Sequence, residues 1–149
     1  VRSSILMFYN ELLYKLLFEA GEDPILFHFI EEEIHKTANP EVLTGDLPLR
    51  FLIRLSIILG FFPENNYSAA NCHFSLEDGR FQSYFIDERN DLPEAESHYL
   101  SRLMFNDDYI PADRNLRNSM LRYLIQYYVL HYEQIRNIES AEILATVLH

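Results

Sequence analysis

Two arginines on an otherwise apolar stretch carry most of the chemical information in this chain. The stretch is Leu47 to Pro63, LPLRFLIRLSIILGFFP, and Arg50 and Arg54 stand four residues apart in it. That spacing is close to one helical turn, so both guanidiniums share a stripe. A buried guanidinium without a partner is scarcely tolerated, so the stripe needs carboxylates from this chain or from another molecule. Arg114, Arg117 and Arg122 crowd a second helical stretch. Five of the 12 basic residues therefore fall on two segments that a compact fold can bring together. One reading is internal pairing with some of the 23 acidic residues, where an exposed pair contributes only about 0–1 kcal/mol. The other is a basic lip beside an apolar groove, suited to an acidic peptide ending in a hydrophobic residue. A micromolar complex needs about 8 kcal/mol, more than a few exposed pairs provide. One buried Phe side chain adds about 1.5–3 kcal/mol, so an apolar anchor must sit beside the arginines. For Arg50 and Arg54 both readings stand at this level.

Other candidate chemistry is thinner. Glu32 and His35 have the Glu-x-x-His spacing that builds di-metal sites in helix bundles, but such a site needs a second copy and two further carboxylates. The acidic run Glu31-Glu32-Glu33 reads instead as a solvated helix face. Cys72-His73 is not a zinc site, which wants four ligands, usually as two spaced pairs. The 4 glycines are scattered, without a phosphate-cradling loop. There is no G-x-S-x-G and no H-E-x-x-H, and the six histidines show no catalytic pattern. Neither a metal, a cofactor nor an enzymatic activity is expected.

The totals narrow the class. The chain has 149 residues, enough for one domain spanning 1–149 with a sizeable core, and 48% hydrophobic and 14% aromatic residues exclude intrinsic disorder. A net charge of −11 repels phosphate backbones, so single-strand binding by this segment is expected to be weak or absent. One cysteine, Cys72, permits no internal disulfide and suits a reducing, cytoplasmic setting. No greasy run is long enough for a membrane span. Helical periodicity is already running at Val1, as expected of a cut inside a longer chain.

The elements that must hold the arginines follow from pattern. Ile5, Phe8, Tyr9, Leu12, Leu13, Leu16 and Leu17 form a helical stripe that Gly21 ends. A second helix starts at Asp23 (cap) and Pro24 (first turn) and runs through Leu26, Phe27, Phe29, Ile30 and Ile34. The third, apart from Arg50, Arg54 and Ser56, is apolar all round from Leu49 to Leu59 and so belongs at the centre of the fold. Pro48 suits its first turn and pushes Leu47 out of helical geometry, Gly60 closes it, and Pro63 prevents resumption. Cys72 to Leu76 and Phe81 to Ile86 read as two short strands round Asp78-Gly79, a hairpin insertion at about 71–86. Asp87 to Pro93 is a polar loop, and Glu94 to Phe105 a short helix. Pro111-Ala112-Asp113 opens the longest helix, whose Tyr123 to Tyr132 run should be core or core edge. A last helix is expected from Ser140 to Leu148. The fold class is mainly α, a compact helical domain with one inserted β-hairpin.

Several segments together resemble a known family. They are Tyr9-Asn10-Glu11-Leu12-Leu13-x-Lys15-Leu16-Leu17, then Arg50-Phe51-x-x-Arg54-Leu55-x-x-x-Leu59-Gly60-Phe61-x-Pro63. The hairpin, Leu100-Ser101-Arg102-Leu103, the Tyr-rich helix and Ile138-Glu139-Ser140-Ala141-Glu142-Ile143-Leu144 follow in the same order. This pattern is similar to the C-terminal helical domain of the RecO family of bacterial DNA-repair proteins, and it covers essentially all the chain. The resemblance implies a recombination mediator that acts with RecR. Such a protein helps load RecA onto strands coated by single-stranded-DNA-binding protein (SSB) and anneals complementary strands. It implies DNA binding mainly through an N-terminal OB-fold domain that this chain lacks. It also implies capture of the acidic, Phe-ending SSB tail on the helical domain. Arg50 is then the leading contact, Arg54 the second, with Phe27 and Phe51 lining the groove and Arg114, Arg117 and Arg122 as a secondary basic patch. The alternative is a helical interaction module unrelated to repair. Many family members carry a zinc-binding cysteine quartet at the hairpin. Here Ala69 stands at the first position, Cys72 at the second, and the trailing pair is absent, so the hairpin is expected to rely on Phe74, Leu76, Phe81 and Phe85 without zinc. Glu139 stands where the family often has Lys.

Overall fold

A computed structural model describes residues 2–20, 22–41 and 44–132, with backbone alone for 16–20. The helix expected from Ser140 and the position of Glu139 lie outside the described residues, as does Gly21. In chain order the elements are α1 (Arg2–Ala20), α2 (Pro24–Ala38), α3 (Leu47–Leu59), β1 (His73–Ser75), β2 (Arg80–Gln82), α4 (Glu94–Phe105) and α5 (Arg114–His131). The chain is mainly helical with one small antiparallel hairpin, as its patterning implies.

The largely apolar segment takes the centre as far as Ser56, while Ile57 is 57% exposed and the last turn reaches the surface. α3 packs against α2, α4 and α5, and Leu49, Phe51, Leu52, Ile53 and Leu55 are each 5% exposed or less. Its C-terminus closes on Gly60 at φ 89°, with the Gly60 N–H returned to Ser56 O, the left-handed stop that glycine takes without a Cβ clash. Leu47 is helical, one residue earlier than Pro48 suggested, since its N–H reaches Thr44 O. The Phe51 ring lies between Tyr9 of α1 (centroids 3.9 Å apart) and Phe29 of α2 (5.6 Å), which ties three helices through stacked aromatics. On the other side the Tyr128 hydroxyl of α5 donates to Leu52 O. Phe61, just past α3, packs on Tyr127, Tyr128, His131 and Tyr132, so much of the tyrosine-rich run is core as expected.

Two helix starts obey their caps. Asp23 accepts from Ile25 N and Leu26 N at 3.1 Å each, and Asp113 accepts from Leu116 N at 2.8 Å; each satisfies first-turn donors that have no partner inside the helix. The faces of α2 differ from expectation. Leu26, Ile30, Glu33 and Thr37 point inward, whereas Phe27 is 67% exposed and Ile34 44%. Glu33 thus leaves the solvated run in which it sits, because it falls seven residues after Leu26 and three after Ile30 on the same helical face.

The hairpin is shorter than the apolar runs that flank it. Pairing runs only His73↔Gln82, Phe74↔Phe81 and Ser75↔Arg80, with Gly79 at φ 67° in the turn. Polar side chains take over from strand pairing. Asn66 accepts from Phe81 N (2.8 Å) and donates to Phe81 O (2.9 Å), standing in for a neighbouring strand. Asp91, buried in what reads as an open loop, accepts from Gln82 Nε2, Ile86 N and Asp87 N at 2.9–3.0 Å. Phe74, Leu76 and Phe81 are buried, but Phe85 is 41% exposed beside His73 and does not anchor the hairpin from inside. Cys72, next to β1, is a free cysteine.

Candidate functional site

The two arginines of α3 have different surroundings. Arg50 is 6% exposed. Its Nε donates to Asp46 Oδ2 at 2.9 Å, and its two terminal nitrogens donate to the carbonyls of Asn106 and Asp108 in the α4–α5 connection. Asp46 is fully buried and also accepts from the Thr44 hydroxyl. Arg50 is therefore an internal strut between the start of α3 and the end of α4, rather than the open lip anticipated for it. A guanidinium suits this place because its planar fork meets a carboxylate and two carbonyls at once.

Arg54, one turn on, is nearer the surface, its side chain 31% exposed. Its Nη1 donates to Glu33 Oε1 at 3.3 Å, and Nη2 stands 4.0 Å from Asp107 Oδ1. Lys36 donates to the same Glu33 Oε1 and is 35% exposed. Two cations thus lean on one buried carboxylate, 1% exposed, and Asp107 is the second, solvent-facing counter-charge to Arg54. Beneath them the Tyr9 hydroxyl is held well above its usual pKa, first by burial and then by the nearby Glu33 charge.

Arg50, Arg54 and Lys36 border a hollow of about 280 Å³. Its apolar lining comes from Leu47 and from Tyr109, which is 51% exposed. Four carboxylates, Glu41, Asp46, Asp107 and Asp108, also line it, so an incoming anion meets competition as well as attraction.

The aromatic positions expected in the groove are elsewhere. Phe51 is fully buried and lines no groove, because its neighbours Tyr9 and Phe29 enclose it. Phe27 and Lys36 lie two and a half turns apart, about 180° round α2, so Phe27 faces away from the hollow and is absent from its lining. Nor do Arg114, Arg117 and Arg122 make one basic surface. Arg114 and Arg122 are exposed on α5, but Arg117 is 6% exposed, donates to Ala112 O and packs against Gly45. Lys36, Glu33 and Tyr109 were missed in the sequence. The helical wheel of α2 contained the first two, while Tyr109 depends on how the α4–α5 connection folds back. Among the described residues no group of three or more His, Cys, Asp or Glu could hold a metal ion. Among the same residues no helix is long and apolar enough to cross a membrane.

Residues 1–138 match the family described as recombination protein O, C terminal. The chain belongs to the RecO C-terminal family. A DNA repair protein RecO of Porphyromonas gingivalis strain W83 is 31% identical over 153 residues, spanning 99% of this chain and 62% of that protein. A DNA repair protein RecO of Azobacteroides pseudotrichonymphae is 28% identical over 151 residues, spanning 99% of this chain and 63% of that protein. The chain therefore spans somewhat under two thirds of the length of these curated relatives. No solved structure matches the chain at a significant level. Family membership sets aside the alternative of a helical module unrelated to repair proteins.

Proposed function

We propose that this domain is the protein-docking part of a RecO-type recombination mediator, working without catalysis in the cytoplasm. In this reading it captures the acidic, Phe-ending tail of SSB and, together with RecR, helps load RecA and anneal complementary strands. The observation that supports it is the exposure of Arg54 and Lys36, which share one buried Glu33 oxygen while each keeps about a third of its side chain in solvent. A tail carboxylate brought to Arg54 and Lys36 gains charge-assisted hydrogen bonds, and its terminal ring can lie on the half-exposed Tyr109 ring in the hollow. Arg50 then acts from behind, holding the wall of the site. With a net charge of −11, single strands are bound elsewhere in the mediator, through the family's OB-fold domain, and only feebly here.

The test is titration of a fluorescent SSB-tail peptide into the chain. Micromolar binding that weakens with salt is expected, and Arg54→Glu should reduce it at least tenfold while the melting temperature moves little. Unchanged binding by a folded Arg54→Glu variant would remove the site, and no binding by the wild-type chain or its Asp107→Asn/Asp108→Asn variant would remove the function.

A further inference from the structure

The connection between α4 and α5 has the same chemistry as the ligand assigned to the hollow it borders. Asn106-Asp107-Asp108-Tyr109 places two carboxylates just before an aromatic ring, and Asp107, Asp108 and Tyr109 all line the hollow. Asp107, fully exposed, comes to 4.0 Å from Arg54 Nη2. The backbone is held there by Arg50, whose fork takes the carbonyls of residues 106 and 108, while Ile110, 2% exposed, pins the far end in the core. Asp46 in turn fixes the Arg50 fork from α3.

We propose that residues 106–109 form a built-in competitor for the acidic tail, stapled by Arg50 so that Asp107 holds Arg54 where a foreign carboxylate would land. The inference rests on the tail-docking reading and adds a regulation to it. A tail must displace Asp107 before it reaches Arg54, so affinity is set by a difference between two similar acidic segments. Discrimination against weakly acidic peptides follows, because only a segment richer in carboxylates outcompetes the strap. Arg50 holds the strap through the carbonyls of residues 106 and 108 and not through the Asp107 carboxylate, so Asp107 can swing into solvent without unstapling the connection.

The experiment compares the wild-type chain with Asp107→Asn/Asp108→Asn, using a labelled acidic peptide that ends in Phe. Glu77→Gln/Asp78→Asn on the hairpin turn removes the same two charges away from the hollow and serves as the control. The strap predicts that the first variant binds about two- to fivefold tighter than wild type at low salt, the size expected for releasing an exposed ion pair. The gain should shrink as salt screens the competition, and the control should show a clearly smaller gain. Binding by the first variant where the wild type binds none would support the strap more strongly. Equal or weaker binding by the first variant, or an equal gain from the control, overturns it. If Arg54→Glu abolishes binding while Asp107→Asn/Asp108→Asn changes nothing, the strap fails and tail docking survives. If Arg54→Glu binds like wild type, docking at Arg54 fails and the strap fails with it.

Discussion

Removing the carboxylate of Asp46 should be among the most damaging single changes in this chain. Asp46 is fully buried and holds the Nε of Arg50 at 2.9 Å, and it is the one carboxylate paired with Arg50 among the described residues. Asp46→Ala leaves a guanidinium that is 6% exposed facing two carbonyls and no counter-charge. Breaking a buried pair in this way costs about 3–5 kcal/mol, a large part of the roughly 5–15 kcal/mol that stabilises a domain. At about 2–4 °C per kcal/mol for a chain of this size, the melting temperature should drop by about 6–20 °C. Arg54→Ala is the comparison, because Arg54 is partly solvated and Glu33 keeps Lys36 as a partner; its cost should stay near 1 kcal/mol. Urea unfolding followed by helical circular dichroism measures both. Asp46→Ala costing no more than Arg54→Ala would refute the view of Arg50 as a buried strut.

Further expectations can be checked in the same way. Phe51→Ala should cost about 3–5 kcal/mol as a core truncation, whereas exposed Phe27→Ala should stay within about 0.5 kcal/mol; equal effects would contradict their placement. Asn66→Ala removes both hydrogen bonds to Phe81 and should cost about 1–3 kcal/mol, with faster amide exchange at Phe81 than in wild type. Burial raises the pKa of the Tyr127 hydroxyl to about 12, and burial foremost also raises those of Tyr9, Tyr99 and Tyr128 above the usual 10. The folded state thus holds these protons more tightly than the unfolded state. Their contribution to stability is complete below pH 10 and is lost as pH climbs through the raised values. Unfolding free energy should therefore fall above pH 10, and a flat profile between pH 9 and 12 would count against this burial.

What could be read from the sequence was what is decided locally. Asp23-Pro24, Gly60 and Asp113 act within one turn of themselves, and the boundaries they mark are the ones observed. The central position of α3 was legible for a similar reason, since a helix apolar on nearly every side but its arginine stripe has nowhere else to go. Glu33 was misread because it sits in an acidic triplet, although helical period alone aligns it with Leu26 and Ile30. The Asp46–Arg50 pair was also within reach, being spaced by four. By contrast, the fate of Arg50 rests equally on carbonyls 56 and 58 residues away, and no local pattern announces such contacts. The hairpin erred in the same way. Its strands look long in composition, but Asp91 claims the Ile86 and Asp87 amides that further pairing would need. Phe51 and Phe27 show the limit plainly, two phenylalanines on neighbouring helices, one enclosed by rings and the other left in water.

The most direct measurement is a residue-by-residue map of where an SSB-tail peptide touches the labelled chain, read from amide and side-chain chemical shifts during titration. Docking at the Glu33 cluster predicts that Arg54, Lys36, Asp107 and Tyr109 shift together and saturate at one micromolar constant, while Phe27 and the hairpin stay still. Shifts confined to Phe27, to the exposed arginines of α5 or to the hairpin would contradict it.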